Sequence, residues 1–249
     1  MPHLIALATF QSAAEERRRG SRRFLLAIVI VFVSLTGILA ANPAFGQTLR
    51  FALFGDTRSD MNGTGVNDQS VTAIANQISK YGNVQFAFDS GDLQCGEDVV
   101  FSNPPPTPPI PNPPYMATQF ASFKADLIAG GLIPIGSPGT GEPVYCIRGN
   151  HETYDSECHD QIGAWMNAYG QYLPTNGPTT GAKGQSEVGM TYSFTSGNSL
   201  FLGVDEFCNA TDAAFPIVNT AWVQQQIAAR SDQKGYVFTF GHTPLYQIQ

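Results

Sequence analysis

Val144-Tyr145-Cys146-Ile147-Arg148-Gly149-Asn150-His151-Glu152 is a stretch with two halves. Its first four residues are apolar or aromatic and have the character of a buried strand. Arg148 and Gly149 then release the chain into a loop carrying an amide, an imidazole and a carboxylate in succession. Asn and His can ligate metals, and His and Glu can exchange protons. Packing alone gives no reason to gather such groups at a strand end. By itself the block is still a weak signal, and its meaning depends on what the rest of the chain brings to it.

Three other apolar runs share this design. Leu49 to Phe54 ends in Gly55-Asp56, Val84 to Phe88 is followed by Gly91-Asp92, and Tyr236 to Phe240 ends in Gly241-His242. Between the first two, residues 68–80 place Val71, Ile74, Ala75 and Ile78 on one helical face, with Gly82 as a stop. The strand–helix–strand order predicts a βαβ unit with parallel strands. Further helices are expected over residues 116–129, 161–169 and from a cap at Asn219 or Thr220 to Arg230. Thr191 to Phe194 and Leu200 to Val204 flank Ser196-Gly197-Asn198-Ser199 and read as an antiparallel hairpin. Residues 102–114 are too rich in proline for helix or central strand, and read as a stiff excursion.

The chain has 249 residues, 43% hydrophobic and 13% charged, which suits one sizeable core. Residues 1–46 stand apart from it: Arg17-Arg18-Arg19 and Arg22-Arg23 precede an apolar run over 24–41, and Ala44-Phe45-Gly46 precedes Gln47. This reads as a signal peptide or an N-terminal membrane anchor, leaving residues 47–249 as the folded domain. The expected location is periplasmic or secreted, with membrane contact only through residues 24–41 if the leader is retained. Ser21-Arg22-Arg23-Phe24-Leu25-Leu26 also has the look of a twin-arginine signal, so the export route stays open. Losing five arginines and two glutamates takes the formal charge from −7 to about −10. An acidic surface disfavours nucleic acid as a partner. Of the four cysteines, Cys146 lies in a strand as a buried thiol. Cys95, Cys158 and Cys208 fall in loops, and a disulfide among these three is the expectation.

Asp56, Asp92, Asn150 and His242 make a hard-to-borderline ligand set suited to Mn, Fe, Zn or Mg. If the strands are parallel, their ends converge on one edge and can build one site. A carboxylate between two cations can hold a two-metal centre of the kind phosphatases use. His151, beside Asn150, is placed to protonate a leaving oxygen, with Glu152 to orient its ring. Singly, each aspartate after glycine is an ordinary turn or cap residue, and His242 an ordinary loop histidine. Asp205 reads as structural.

Taken together, Gly55-Asp56-Thr57-Arg58, Gly91-Asp92, Gly149-Asn150-His151-Glu152 and Gly241-His242-Thr243-Pro244 resemble, in order, the motifs of the calcineurin-like metallophosphoesterases, a superfamily that includes the purple acid phosphatases. The resemblance runs from about Leu49 to the end of the chain. It implies an α/β fold, a four-layer α/β/β/α sandwich of two mixed sheets. It further implies two metal ions, with Asp56 on the first, Asp92 bridging, and Asn150 and His242 on the second. His151 would be the proton donor or a phosphate contact, and the substrate a phosphate ester.

Three departures qualify this. Arg58 stands where the family often has a histidine ligand; a guanidinium has no lone pair for a metal, and Arg58 reads equally as a phosphate contact or as the partner of a carboxylate. Cys95 stands where purple acid phosphatases have tyrosine, which disfavours that branch. A final Gly-His-x-His block is missing, the only histidines being His3, His151, His159 and His242. A C-terminally truncated form of a longer protein is therefore expected. A non-catalytic phosphate-binding member of the same fold is the competing reading.

Overall fold

The computed structural model describes residues 49–58, 65–95, 116–152, 162–181, 184–207, 217–230 and 235–243. The leader, the proline-rich excursion, Cys158, His159 and Cys208 lie outside them.

β1 (Phe51–Phe54) leads through α1 (Asp68–Tyr81) to β2 (Phe86–Asp89), and the two strands pair in parallel with Phe51 opposite Phe86. α1 starts where Asn67 accepts a hydrogen bond from the Ser70 N–H, and buries Val71, Ile74, Ala75 and Ile78. That is the face its sequence spacing predicts. α2 (Met116–Ala129) packs against α1 and buries Phe120, Phe123 and Leu127. Two strands follow, β3 (Leu132–Pro134) and β4 (Glu142–Cys146). β4 joins β2 in parallel, and β3 lies outside it, giving the order β1-β2-β4-β3. The sequence reading lacks β3. It is three residues long and ends in proline, which fits an edge strand paired on one side only.

α3 (Ile162–Ala168) buries Trp165. β5 (Tyr192–Ser196) and β6 (Ser199–Gly203) form the expected antiparallel hairpin. α4 (Thr220–Ala228) is capped by Asn219, which accepts from the Trp222 N–H, and β7 (Val237–Phe240) then pairs with β6 in parallel.

There are thus two sheets in an α/β fold, and they differ from expectation in two respects. The described four-stranded sheet is wholly parallel, and only the β5-β6-β7 sheet is mixed. His242 also follows a strand of the second sheet, so its arrival at the site requires the sheets to meet. They meet through aromatic rings. Phe51 contacts Phe201, Phe238 and Phe240 edge-on, and Phe88 stacks on Phe240 at 4.0 Å between centroids. Each such pair adds about 0.5–1.5 kcal/mol beyond burial, so the seam fixes one sheet against the other. Trp222 of α4 packs with Leu200, Leu202 and Val204 of the second sheet in a smaller cluster.

Candidate metal centre

β1, β2 and β4 are neighbours running the same way, so the loops leaving their C-terminal ends lie side by side. Their backbones lock together directly. The Asp56 N–H donates to the Gly91 carbonyl at 2.9 Å, and the Arg58 N–H to the Asp92 carbonyl at 3.1 Å. Gly91 has φ +94°, and a Cβ there would meet the Gly149 nitrogen at 2.5 Å. A Cβ on Gly149 would strike Asp92 Oδ1 at 2.2 Å. Both glycines are therefore demanded by the approach of the second loop to the third. Asp56 and Asp92 themselves sit at φ 54° and 53°. Aspartate tolerates this left-handed region better than most residues, but it is uncommon, and such backbone concentrates at functional sites.

Around Asp92, which is buried, the sequence-predicted residues gather. His242 Nε2 lies 3.4 Å from Asp92 Oδ1 and 3.2 Å from Asn150 Oδ1. The Nδ1 of His242 is 3.0 Å from the Ser90 carbonyl, which can only accept, so Nδ1 carries the proton. In the neutral ring Nε2 then presents a lone pair, and it faces two oxygen lone pairs. With the ring neutral, its Nε2 lone pair and the two oxygens it faces form a donor set that suits a cation. Fixing a ligand histidine through its other nitrogen is a usual device of metal sites. Among the described residues no group of three or more His, Cys, Asp or Glu side chains gathers for a metal; this trio counts an amide oxygen among its members.

Arg58 occupies the other side of Asp92. Its Nε is 3.1 Å from Asp56 Oδ1 and 3.0 Å from Asp92 Oδ2. Burial works against its charge, but Asp92 and Asp56 outweigh that and raise its pKa. Of the two readings left open for Arg58, pairing with carboxylates is the one the structure displays.

His151 is a quarter exposed, with Nε2 4.0 Å from Asp92 Oδ2. Its Nδ1 hydrogen-bonds the Cys95 carbonyl, and its backbone N–H donates to Asp92 Oδ1 at 3.2 Å. The expectation that Glu152 orients this ring is corrected here. Glu152 is fully buried, and its carboxylate accepts from the backbone N–H groups of Gly149 (2.7 Å), Asp92 (2.9 Å), Leu93 (2.9 Å) and Gln94 (3.4 Å). It straps the second loop to the third, and the carbonyl of Cys95 holds the His151 ring. Burial, then the charge of Asp92, push the Glu152 carboxyl up to about 8. Yet both oxygens already face N–H donors, and a proton on either would meet one, so the geometry accommodates the ionised form.

Several supporting groups carry no signal of their own in the sequence. Ser90 and Cys95 act through backbone carbonyls, which any residue has. Glu206, buried at the end of the second sheet, accepts from the Thr243 N–H at 2.6 Å and so holds the loop bearing His242. Arg148 is fully buried, with Nε and Nη2 both 2.7 Å from Asp205 Oδ2, which ties the Gly149-Asn150 loop to the second sheet. Asp205 is structural, as its sequence context suggests. Cys146 is a buried thiol in the core, its pKa pushed well up by burial. Cys95 is buried, and no disulfide joins it to another described cysteine.

Residues 49–249 match the family model described as calcineurin-like phosphoesterase. No curated protein matches the chain.

Proposed function

Because the chain belongs to the calcineurin-like phosphoesterase family, whose members are phosphoric ester hydrolases that use divalent metal ions, we propose that it hydrolyses a phosphate ester at the corner formed by Asp92, Asn150 and His242. The observation that carries this is the convergence of His242 Nε2 on Asp92 Oδ1 and Asn150 Oδ1 at 3.4 and 3.2 Å. Those residues would hold the ion, which is Mn, Fe, Zn or Mg by the character of the donors. A bound divalent ion polarises phosphoryl oxygens and makes water a nucleophile near neutral pH. In the two-metal form of this chemistry Asp56 and Asp92 would hold a second ion, and these are the two carboxylates that Arg58 pairs with.

The chain's own side chains supply the rest. His151, anchored through Nδ1 to a carbonyl, has Nε2 available to carry a proton to the oxygen of the leaving alcohol. Arg58 is two-fifths exposed. A guanidinium has five N–H donors, and those not spent on carboxylates can take up phosphate oxygens. Glu152 holds the loops that set these distances. The reading includes export, supported by the basic residues and apolar run of residues 17–41. It also includes a four-layer α/β/β/α architecture, supported by the aromatic seam between the sheets and by Trp222 on the second.

The test is turnover of a generic phosphate monoester and diester by the metal-loaded chain, beside His151→Ala. The variant is expected to retain metal and to lose about 10²–10⁴-fold in kcat. Equal activity in the variant would remove His151 as proton donor. Absence of turnover in a metal-loaded parent that still binds phosphate would favour a non-catalytic phosphate-binding protein, the reading that Arg58's neutralisation of Asp56 and Asp92 supports.

A further inference from the structure

The two oxygens of Asp92 face different ways. Oδ1 is turned to His242, whose Nε2 also meets Asn150 Oδ1, and it accepts from the His151 N–H. Oδ2 is turned to Arg58 at 3.0 Å. Asp56 completes that second side, its Oδ1 3.1 Å from the same Nε. One oxygen of Asp92 is thus already held by a cation, and that cation is a side chain.

The backbone from which this side chain reaches is itself fixed next to Asp92. The Arg58 N–H bonds the Asp92 carbonyl, and Arg58 forms a β-bridge with Val66. Thr57, just before it, is buried; its carbonyl accepts from the Asn67 N–H at 3.1 Å, and its hydroxyl donates to the Leu93 carbonyl at 3.4 Å. The Cα of Arg58 is consequently pinned beside Asp92. A guanidinium does not deprotonate in proteins and has no lone pair to give. A divalent ion entering between Asp56 and Asp92 would have to displace it from both carboxylates or sit against a fixed like charge. With a histidine at this position the same space would hold two carboxylates and a neutral ligand.

We infer that Arg58 takes the place of the first metal ion, so that the chain binds one metal ion, at Asp92, Asn150 and His242, and supplies the second positive charge itself. This rests on the metal reading of that trio. It narrows the site from a two-metal centre to one metal ion facing one guanidinium across Asp92. Two cations of unlike kind then flank the position of a phosphoryl group, one with exchangeable ligands and one with directional N–H donors.

The experiment is manganese stoichiometry on the metal-stripped full chain, by equilibrium dialysis with elemental analysis, and electron paramagnetic resonance of the bound ion. One Mn²⁺ per chain with the signal of an isolated ion is expected. Arg58→His is expected to double the bound manganese and to bring spin coupling between the ions, while Arg58→Lys, which keeps a cation there, stays at one. Two equivalents in the parent would overturn the inference and leave the metal reading of the trio standing. No bound manganese in the parent would overturn the metal reading itself. Arg58→His remaining at one equivalent would show that the guanidinium is not what excludes the second ion.

Discussion

Glu152 shows how far chemistry can be read from a residue's name and where position takes over. Its sequence context marks it as functional, next to His151 in a loop of ligand-type groups. Which groups it touches depends on backbone N–H vectors from two loops, and those carry no residue signature. The structure gives it four N–H donors and no solvent. Glu152→Gln puts an amide donor where an acceptor is required and leaves buried N–H groups unpaired, each at about 1–3 kcal/mol. The variant is expected to unfold at clearly lower denaturant and to bind metal more weakly, as the Gly149 and Asp92 loops part. Retained stability and retained metal affinity together would contradict the strap role. The placement of Asp56, Asp92, Asn150 and His242 just after strand ends is legible by contrast, because strand-terminal glycine followed by a ligand-type residue is a pattern of sequence. Ser90, Cys95 and Glu206 were not, since the first two act through carbonyls and the third through a distant loop.

The strands and helices were largely legible because their apolar periodicity is strong, as in α1, whose buried face is the one its spacing implies. β3 has no such signal, since three residues that follow a glycine and end in proline carry no period. Assigning His242 to the second sheet was beyond periodicity too, since strand pairing is settled by partners far away in the chain. At this scale α4 matters through a single residue. Trp222 covers Leu200, Leu202 and Val204 and donates its indole N–H to the Asn176 carbonyl at 3.1 Å. Trp222→Ala is expected to cost about 3–5 kcal/mol in denaturant unfolding. A loss under about 1 kcal/mol would mean that the second sheet does not depend on this cover. Between α1 and α2 a different effect operates. Burial, then hydrogen bonding to Asp68 and its charge, raise the Asp126 carboxyl to about 6. A carboxyl with a higher pKa folded than unfolded binds more protons when folded. Its contribution to stability is therefore present below about pH 4 and is lost as pH rises through 6. Asp126→Asn should stabilise the protein relative to the parent at pH 7 and show little difference at pH 4.5, by thermal unfolding at both values. The same difference at both would rule out the titration.

For the molecule as a whole, two sheets bring four loops to one corner. Three come from parallel neighbours and the fourth crosses from the second sheet, held by the aromatic seam, by Arg148 with Asp205, and by Glu206. That division gives the corner two sides around Asp92: a lone-pair trio suited to one metal ion, and a guanidinium clamped on two carboxylates. The measurement that bears most directly on this account is the rate of hydrolysis of a generic phosphate ester by the metal-stripped chain as Mn²⁺ is added back, run beside Asn150→Ala. The account predicts that the parent's rate follows its metal occupancy and that Asn150→Ala stays near baseline at concentrations that saturate the parent. A parent rate indifferent to metal, or an Asn150→Ala curve that overlays it, would contradict the account.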